Sequence, residues 1–270
     1  MHPFRAATTW SRTGEGRYEG AFDERWYQGK GAYGGVVAGG LARCLEDTVA
    51  DPRRRLRSFT VHFCAPALAG PVVVETRVER TGSLVTHTSA RALQGGAAVA
   101  VATATFAAPR RPAGDERIRF ADARVPEAPG PDEVAPFEGS PLMPTFTQFF
   151  EYRFAVGHAP FSGGDEAVIG GWLRPKEPLA LDAALAVALL DAFPPAVLAR
   201  VDGPAPAASV DMTTHFYADL PLPAERAAEP LLVVARSRWA QEGYAEERAE
   251  LFTADGALVA ECSQLVAVLG

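Results

Sequence analysis

The sequence predicts a tandem α+β fold in which each half of the chain forms a central helix wrapped by a curved antiparallel sheet. Three observations support this prediction. Each half contains one apolar helix-like segment, each helix-like segment is followed by several strand-like segments, and the two halves share short sequence matches. At 270 residues and 48% hydrophobic composition, the chain is long enough to build two such units.

Composition excludes several classes of protein. The net charge of −7 argues against a nucleic-acid partner, and no apolar run approaches the roughly 20 residues of a membrane span. The opening residues MHPFRAATTW lack the apolar core of a signal peptide. Cys44, Cys64 and Cys262 have no disulfide or metal-ligand spacing. We therefore expect a cytoplasmic protein with no membrane partner, no metal site and no cofactor.

The first central helix is predicted over residues 34–49, GGVVAGGLARCLEDTV. Its apolar residues recur at helical spacing, and its charged residues lie partly off that stripe. Gly39 and Gly40 each cost about 1 kcal/mol relative to alanine inside a helix. Their presence therefore predicts that another backbone packs unusually close to this helix.

Three strands are predicted after this helix. Residues 71–80 alternate apolar and charged side chains, as a half-buried strand does. Residues 84–93 and 97–106 follow as further strands, separated by turn residues at Gly82 and Gly95. The series predicts an antiparallel meander, and the alanines of its last strand leave space for the helix.

Residues 109–144 differ in character from the segments on either side. Eight of the 22 prolines lie between residues 107 and 144, among charges and without periodicity. Proline cannot donate to a strand ladder, so we expect an extended surface linker. The predicted division is a first unit over residues 1–108, the linker over 109–144 and a second unit over 145–270.

The second central helix is predicted within residues 181–195, LDAALAVALLDAFPP. Asp182 is suited to the N-cap, and the prolines after Phe193 end the helix. The residues between are apolar on every side, which is typical of a buried helix. Asp191 then lies more than two turns inside the helix, where it is not a cap, and a buried acid is costly unless something uses it.

A diverged repeat relates the two halves. TVHFCA at residues 60–65 matches TTHFYA at residues 213–218, and GAAVAVATATF matches GALVAECSQLV near the end of the chain. The second match places Ala104 of the first copy opposite Gln264 of the second. We therefore interpret the chain as one helix-and-sheet unit duplicated, with its functional polar residues in the second copy.

Three polar residues of the second copy stand among apolar neighbours: Asp191, Ser209 and Gln264. A helix enclosed by its own sheet can bring all three together. Structural alternatives remain for each: Asp191 as a partner of an arginine or a loop backbone, Ser209 as an ordinary strand hydroxyl, and Gln264 as a solvated residue of an edge strand. His62 and His215 occupy matching positions of the two copies, which favours a structural role for both.

The chain resembles the double-hotdog acyl-CoA thioesterases of the thioesterase II type. The resemblance rests on the GGVVAGG helix entry, the SFTVHFCAP strand, the late DGALVAECSQ segment and the acid of the second helix. It implies a tandem hotdog fold in which Asp191, Ser209 and Gln264 position the water that hydrolyses an acyl-CoA substrate. Val36 and Thr60 depart from the residues usual in that family.

Gly34 and Gly35 are the predicted substrate-binding residues. They belong to GAYGG and open the first helix, whose free N–H groups can hold a developing oxyanion. The arginines within residues 53–57 are either contacts for coenzyme A phosphates or a solvated turn. Two other functions remain open: a non-catalytic acyl-CoA or lipid-binding protein, and an enoyl-thioester hydratase. We also expect a homo-oligomer, because hotdog sheets commonly join edge to edge.

Overall fold

The computed structural model describes residues 1–110, 120–141 and 143–269. Residues 111–119 and Leu142 of the predicted linker lie outside the described residues. The described helices are α1 (Pro3–Thr8), α2 (Gly34–Val49) and α3 (Ala183–Leu190). The strands before the predicted linker are β1 (Ser11–Gly14), β2 (Arg17–Phe22), β3 (Tyr27–Gln28), β4 (Gly31–Ala32), β5 (Arg55–Phe63), β6 (Gly70–Thr81), β7 (Val85–Gln94) and β8 (Ala97–Ala107). Those after it are β9 (Phe150–Gly157), β10 (Val168–Pro175), β11 (Ala207–Phe216), β12 (Leu231–Arg236), β13 (Ala240–Gln241), β14 (Tyr244–Phe252) and β15 (Leu258–Val268).

One antiparallel sheet runs through both halves of the chain. Its strand order in the described residues is β1-β2-β6-β7-β8-β5-β11-β15-β14-β12-β10-β9, with β13 paired to β14. The order is the same read outward from the β5–β11 pair on either side: β8, β7, β6 and β2 correspond to β15, β14, β12 and β10. The repeat seen in the sequence is therefore a structural repeat with β5 and β11 at its centre.

Matching residues of the repeat meet at this centre. Thr60 and Thr213 are partners in the β5–β11 ladder, and their hydroxyl oxygens lie 3.0 Å apart. His62 pairs with Asp211 and His215 pairs with Ser58 on either side of them. A pseudo-two-fold axis therefore passes between the two threonines.

The ladder registers also identify counterparts farther from the axis. Ala104 pairs with Phe59 on one side, and Gln264 pairs with Met212 on the other. Phe59 immediately precedes Thr60 in the first copy, and Met212 immediately precedes Thr213 in the second. The structure thus places Ala104 opposite Gln264, as the sequence match predicts.

The central helices α2 and α3 pack against each other with their backbones close together. A Cβ on Gly35 would lie 2.7 Å from Ala188 Cα, and one on Gly39 would lie 3.1 Å from the Ala184 carbonyl oxygen. The predicted close backbone contact is therefore present at Gly39. All eight residues of α3 are buried.

No helix in the described part of the chain is both long and apolar enough to cross a membrane.

Two details of the helices differ from the predictions. Gly40 makes room for the ring of Trp10, which a Cβ would meet at 2.3 Å, and not for a backbone. Asp191 does not lie inside the second helix: α3 ends at Leu190, and Asp191 is its C-cap residue. Pro194 is the reason, since it restricts the residue before it and its ring would clash with the carbonyl four residues earlier, at Leu190.

Candidate active site

Asp191, Ser209 and Gln264 come together beneath the end of α3. The Ser209 hydroxyl oxygen lies 3.2 Å from Asp191 Oδ1 and 2.8 Å from Gln264 Oε1. A hydroxyl carries one proton, so Ser209 donates to one of the two oxygens at a time. The three residues predicted from sequence therefore form one connected polar group.

Sheet topology explains this convergence. Ser209 lies on β11 and Gln264 on β15, and these strands are neighbours in the sheet. Because β15 is flanked by β11 and β14, it is not an edge strand, and Gln264 is only 4% exposed. Asp191 forms no ion pair with an arginine or lysine in the described residues. Gln264 is therefore not a solvated residue of an edge strand, and Asp191 is not the partner of a described arginine.

The electrostatic environment favours a basic carboxylate at Asp191. Burial raises the pKa of Asp191 to about 7, although hydrogen bonding from Ser209, from the Gly35 N–H and from Gln264 lowers it. The second oxygen, Oδ2, is buried and has no hydrogen-bond partner of good geometry among the described residues. A carboxyl group in this setting can gain and lose a proton near neutral pH.

Two buried tyrosines hold the backbone on either side of Asp191. The Tyr33 hydroxyl donates to the Ala188 carbonyl, and the Tyr152 hydroxyl donates to the Ala192 carbonyl at 3.2 Å. The Ala188 carbonyl also accepts the Asp191 N–H, so Tyr33 adds a second hydrogen bond to it, and Tyr152 binds the chain just beyond the C-cap. Neither tyrosine was among the residues predicted from the sequence, although Tyr33 lies directly before the paired glycines.

Asp191 and Ser209 line a cleft of about 570 Å³. Residues from the first half of the chain also line this cleft, among them Lys30, Gly34 and Phe63. A volume of this size is within the range of roughly 300–1,000 Å³ that is usual for small-molecule sites. The cleft therefore needs residues from both halves of the chain.

Gly34 and Gly35 lie where α2 begins, directly against Asp191. A Cβ on Gly34 would lie 2.7 Å from Asp191 Oδ2 and 3.0 Å from the Phe63 ring. These glycines are the first two residues of α2, and the N–H groups at that end have no acceptor within the helix. The N-terminal end of α2 is the positive end of the helix dipole, and Gly34 at this end lines the cleft. Negative charge is favoured at such a position.

The other candidate residues lie elsewhere. Arg54 and Arg55 line a separate cavity of about 470 Å³ beside the C-terminal end of α2. At 1.5 Å per residue, the 16-residue helix separates that cavity from Gly34 by roughly 22 Å. His62 and His215 are exposed and do not line the cleft.

Comparison with known families identifies the chain along most of its length. Residues 22–107 match the acyl-CoA thioesterase N-terminal domain, and residues 121–268 match the acyl-CoA thioesterase C-terminal domain. No curated protein sequence is significantly similar to the chain.

Solved structures show the same architecture over the whole chain. A conserved protein of unknown function with a hot dog fold from Alicyclobacillus acidocaldarius is 29% identical, with a TM-score of 0.89 and coverage of 100% of this chain and 99% of the other. A candidate thioesterase II from Thermobifida fusca YX is 26% identical, with a TM-score of 0.83 and coverage of 99% and 98%. The acyl-CoA thioesterase II TesB2 from Mycobacterium marinum is 22% identical, with a TM-score of 0.77 and coverage of 98% and 97%, and shows the fold alone. The predicted tandem hotdog fold is confirmed, and the chain belongs to the acyl-CoA thioesterase family of thioester hydrolases.

Proposed function

We propose that the chain hydrolyses acyl-CoA thioesters to a free acid and coenzyme A with Asp191 as the general base. The observation that carries the proposal is the buried carboxylate of Asp191, which is bonded to Ser209 on one oxygen while its other oxygen has no good hydrogen-bond partner in the described residues. Ser209 and Gln264 orient the attacking water beside it. Family membership and the cleft that this carboxylate lines support the assignment.

In the hydrolytic step, a water bound at Asp191 Oδ2 gives a proton to the carboxylate while its oxygen bonds to the thioester carbon. The carbonyl electrons move onto the oxygen and form a tetrahedral oxyanion. When the carbonyl re-forms, the carbon–sulfur bond breaks and coenzyme A leaves as a thiolate, and Asp191 then releases its proton to solvent. A thiol pKa near 8.5 makes this departure possible without a strong acid. Proton transfer by a positioned base typically contributes about 10²–10⁴ in rate.

The oxyanion is stabilised at the N-terminal end of α2. Gly34 and Gly35 supply the N–H groups there, and the helix dipole favours negative charge at the same place. Because the Gly35 N–H also interacts with the Asp191 carboxylate, Gly34 is the donor that faces the substrate in our proposal. Charge on the base and charge on the oxyanion are thus stabilised by adjacent donors.

The test is release of free thiol from acyl-CoAs of several chain lengths by the purified chain. Hydrolysis of at least one of them supports the proposal. Binding without any release would instead assign the chain as an acyl-CoA or lipid-binding protein. Hydration of an enoyl-CoA with the thioester intact would identify a hydratase, for which no histidine lines the cleft near Asp191 among the described residues.

The pH dependence of hydrolysis should report the ionisation of Asp191. Since only the charged carboxylate accepts a proton, and its pKa is raised to about 7, kcat/KM should rise about tenfold per pH unit below 7 and level off between about 7 and 8. Loss of thioester absorbance measures the rate without depending on thiol ionisation. A rate that does not change between pH 5 and 7 would contradict the assignment of Asp191 as the base.

Substitution of Gly34 should disturb the base directly. In Gly34→Ala, the new methyl group would lie 2.7 Å from Asp191 Oδ2, so the carboxylate has to move. A displacement of about 1 Å in a catalytic group can reduce the rate on the order of 10²-fold, and we expect a loss of that size in kcat/KM. Gly14→Ala is the matched control, because its methyl group would have its nearest contact at 3.7 Å. Equal activity of the two variants would contradict this geometry.

We also propose that residues 1–108 and 145–270 are the two hotdog units and that residues 109–144 connect them. In support, β8 ends at Ala107 and β9 begins at Phe150. For the assembly we propose a homo-oligomer, since the sheet in the described residues ends at β1 and β9, and all four residues of β1 are exposed, so this edge can pair with another chain. Light scattering of the purified chain tests the oligomer, and a monomer at micromolar concentration would contradict it.

A further inference from the structure

Glu247 is a second buried acid next to the candidate site. It lies on β14 directly opposite Gln264 on β15, and residues paired in this way have their side chains on the same face of the sheet. It is only 5% exposed. No arginine, lysine or histidine of the described residues forms an ion pair with it.

One contact ties Glu247 to the segment that carries Asp191. Its Oε2 accepts a hydrogen bond from the Ala196 N–H, at the start of a 3₁₀ helix over Ala196–Arg200. Pro194 and Pro195 have no N–H, so Ala196 provides the first backbone donor after Phe193. Glu247 therefore connects β14 to the chain immediately beyond the C-cap of α3.

The charges that surround Glu247 disfavour its ionised form. The groups that interact with it electrostatically are Asp191 at the end of α3, Cys262 on β15 and Glu246 on its own strand. None of them is a cation. Burial together with the two acids raises the pKa of Glu247 to about 8, although the hydrogen bond from Ala196 lowers it. Tyr33 at the N-cap of α2 and Tyr152 on β9 interact with Asp191 and stay protonated, because burial raises both pKa values.

We propose that Glu247 is a positioning residue that supports hydrolysis in its neutral form, and that its ionisation ends the active pH range on the alkaline side. This inference rests on the function proposed above. With Glu247 neutral, Asp191 carries the one negative charge of this pair of buried acids. A second buried negative charge next to Gln264 repels both the Asp191 carboxylate and the oxyanion that forms during the reaction. The protonation of Glu247 therefore makes that oxyanion easier to form.

The decisive variant is Glu247→Gln, measured as kcat/KM from pH 6 to pH 10 beside the wild type. Glutamine keeps an oxygen that accepts the Ala196 hydrogen bond but cannot ionise. We expect a wild-type rate that falls up to tenfold per pH unit above about 8. The variant should stay within about threefold of wild type at pH 7 and show no decline at high pH. An alkaline decline that persists in Glu247→Gln overturns the proposal, as does a wild type that does not decline.

A second measurement is independent of activity. When the pKa of an acid is higher in the folded than in the unfolded protein, the folded protein becomes less stable as pH rises between the two values. The wild type should therefore lose stability from about pH 5 to pH 8. The melting temperature of Glu247→Gln, relative to wild type, should therefore increase over this range. A constant difference overturns the inferred neutral state. If this difference increases but no acyl-CoA is hydrolysed, the proposed function fails while the buried neutral acid stands. Glu247→Ala, which loses the bond to Ala196, should melt lower than Glu247→Gln at pH 6.

Discussion

Asp191→Asn is expected to lower kcat/KM for acyl-CoA hydrolysis by about 10²–10⁴-fold while making the folded chain more stable at pH 8. The carboxamide keeps the shape of the side chain and its contact with Ser209, but it cannot accept a proton from water. Stability rises because the pKa of Asp191 is raised to about 7, so its charge destabilises the fold increasingly between about pH 4 and pH 7 and by a constant amount above pH 7. Free-thiol release and thermal unfolding measure the two effects.

Asp165→Asn is the matched control for this experiment. It makes the same chemical change on a side chain that is 89% exposed, and it should leave both activity and melting temperature unchanged. Full activity of Asp191→Asn would exclude Asp191 as the base and leave the fold assignment intact. A variant that loses activity and also melts below the wild type at pH 8 would instead show that Asp191 has a structural role.

Gly35→Ala is expected to give the largest loss of stability among single methyl additions at the helix pair. The added Cβ would lie 2.7 Å from Ala188 Cα, which is backbone and cannot rotate away, and 2.4 Å from the Tyr33 ring. Overpacking of this kind costs about 1–3 kcal/mol, more than the roughly 1 kcal/mol that alanine gains over glycine in a helix. Because α3 carries Asp191 at its end, activity should fall as well.

Chemical or thermal unfolding measures this effect, with Gly82→Ala as the control. The Gly82 methyl group would meet its nearest atom, the Val85 carbonyl oxygen, at 3.5 Å, which is ordinary contact. At about 2–4 °C per kcal/mol, Gly35→Ala should melt several degrees below that control. A melting temperature equal to that of the control would show that the two helices can separate without loss.

The first copy of the fold was largely predictable from the sequence. The limits of α2, Gly34–Val49, agree with the predicted helix, and β6, β7 and β8 agree with the predicted strands within one residue at every end. These segments are amphipathic, so the pattern itself shows which face is buried. The helix α3 has no polar face, and periodicity could not show where it ends. The backbone restriction imposed by Pro194 decides that point.

The candidate site was predictable only in part. Asp191, Ser209 and Gln264 stand out because each is polar among apolar neighbours, and the structure brings them together. Tyr33 and Tyr152 do not stand out, since a tyrosine among aromatic residues is usually part of the core. Their hydroxyl groups bond carbonyls 155 and 40 residues away, and no local pattern encodes such a contact.

The threonine pair at the centre of the sheet has a consequence for how this protein can change over time. In a dimer of two identical chains, every substitution occurs on both sides of the axis, so both clefts must tolerate it. Here the two sides are separate stretches of one chain, and Ala104 already differs from its counterpart Gln264. Covalent linkage has therefore released one side of a symmetric assembly from the requirements of the other. A residue of the first copy that lines the cleft, such as Phe63, can therefore change without a matching change in the second copy.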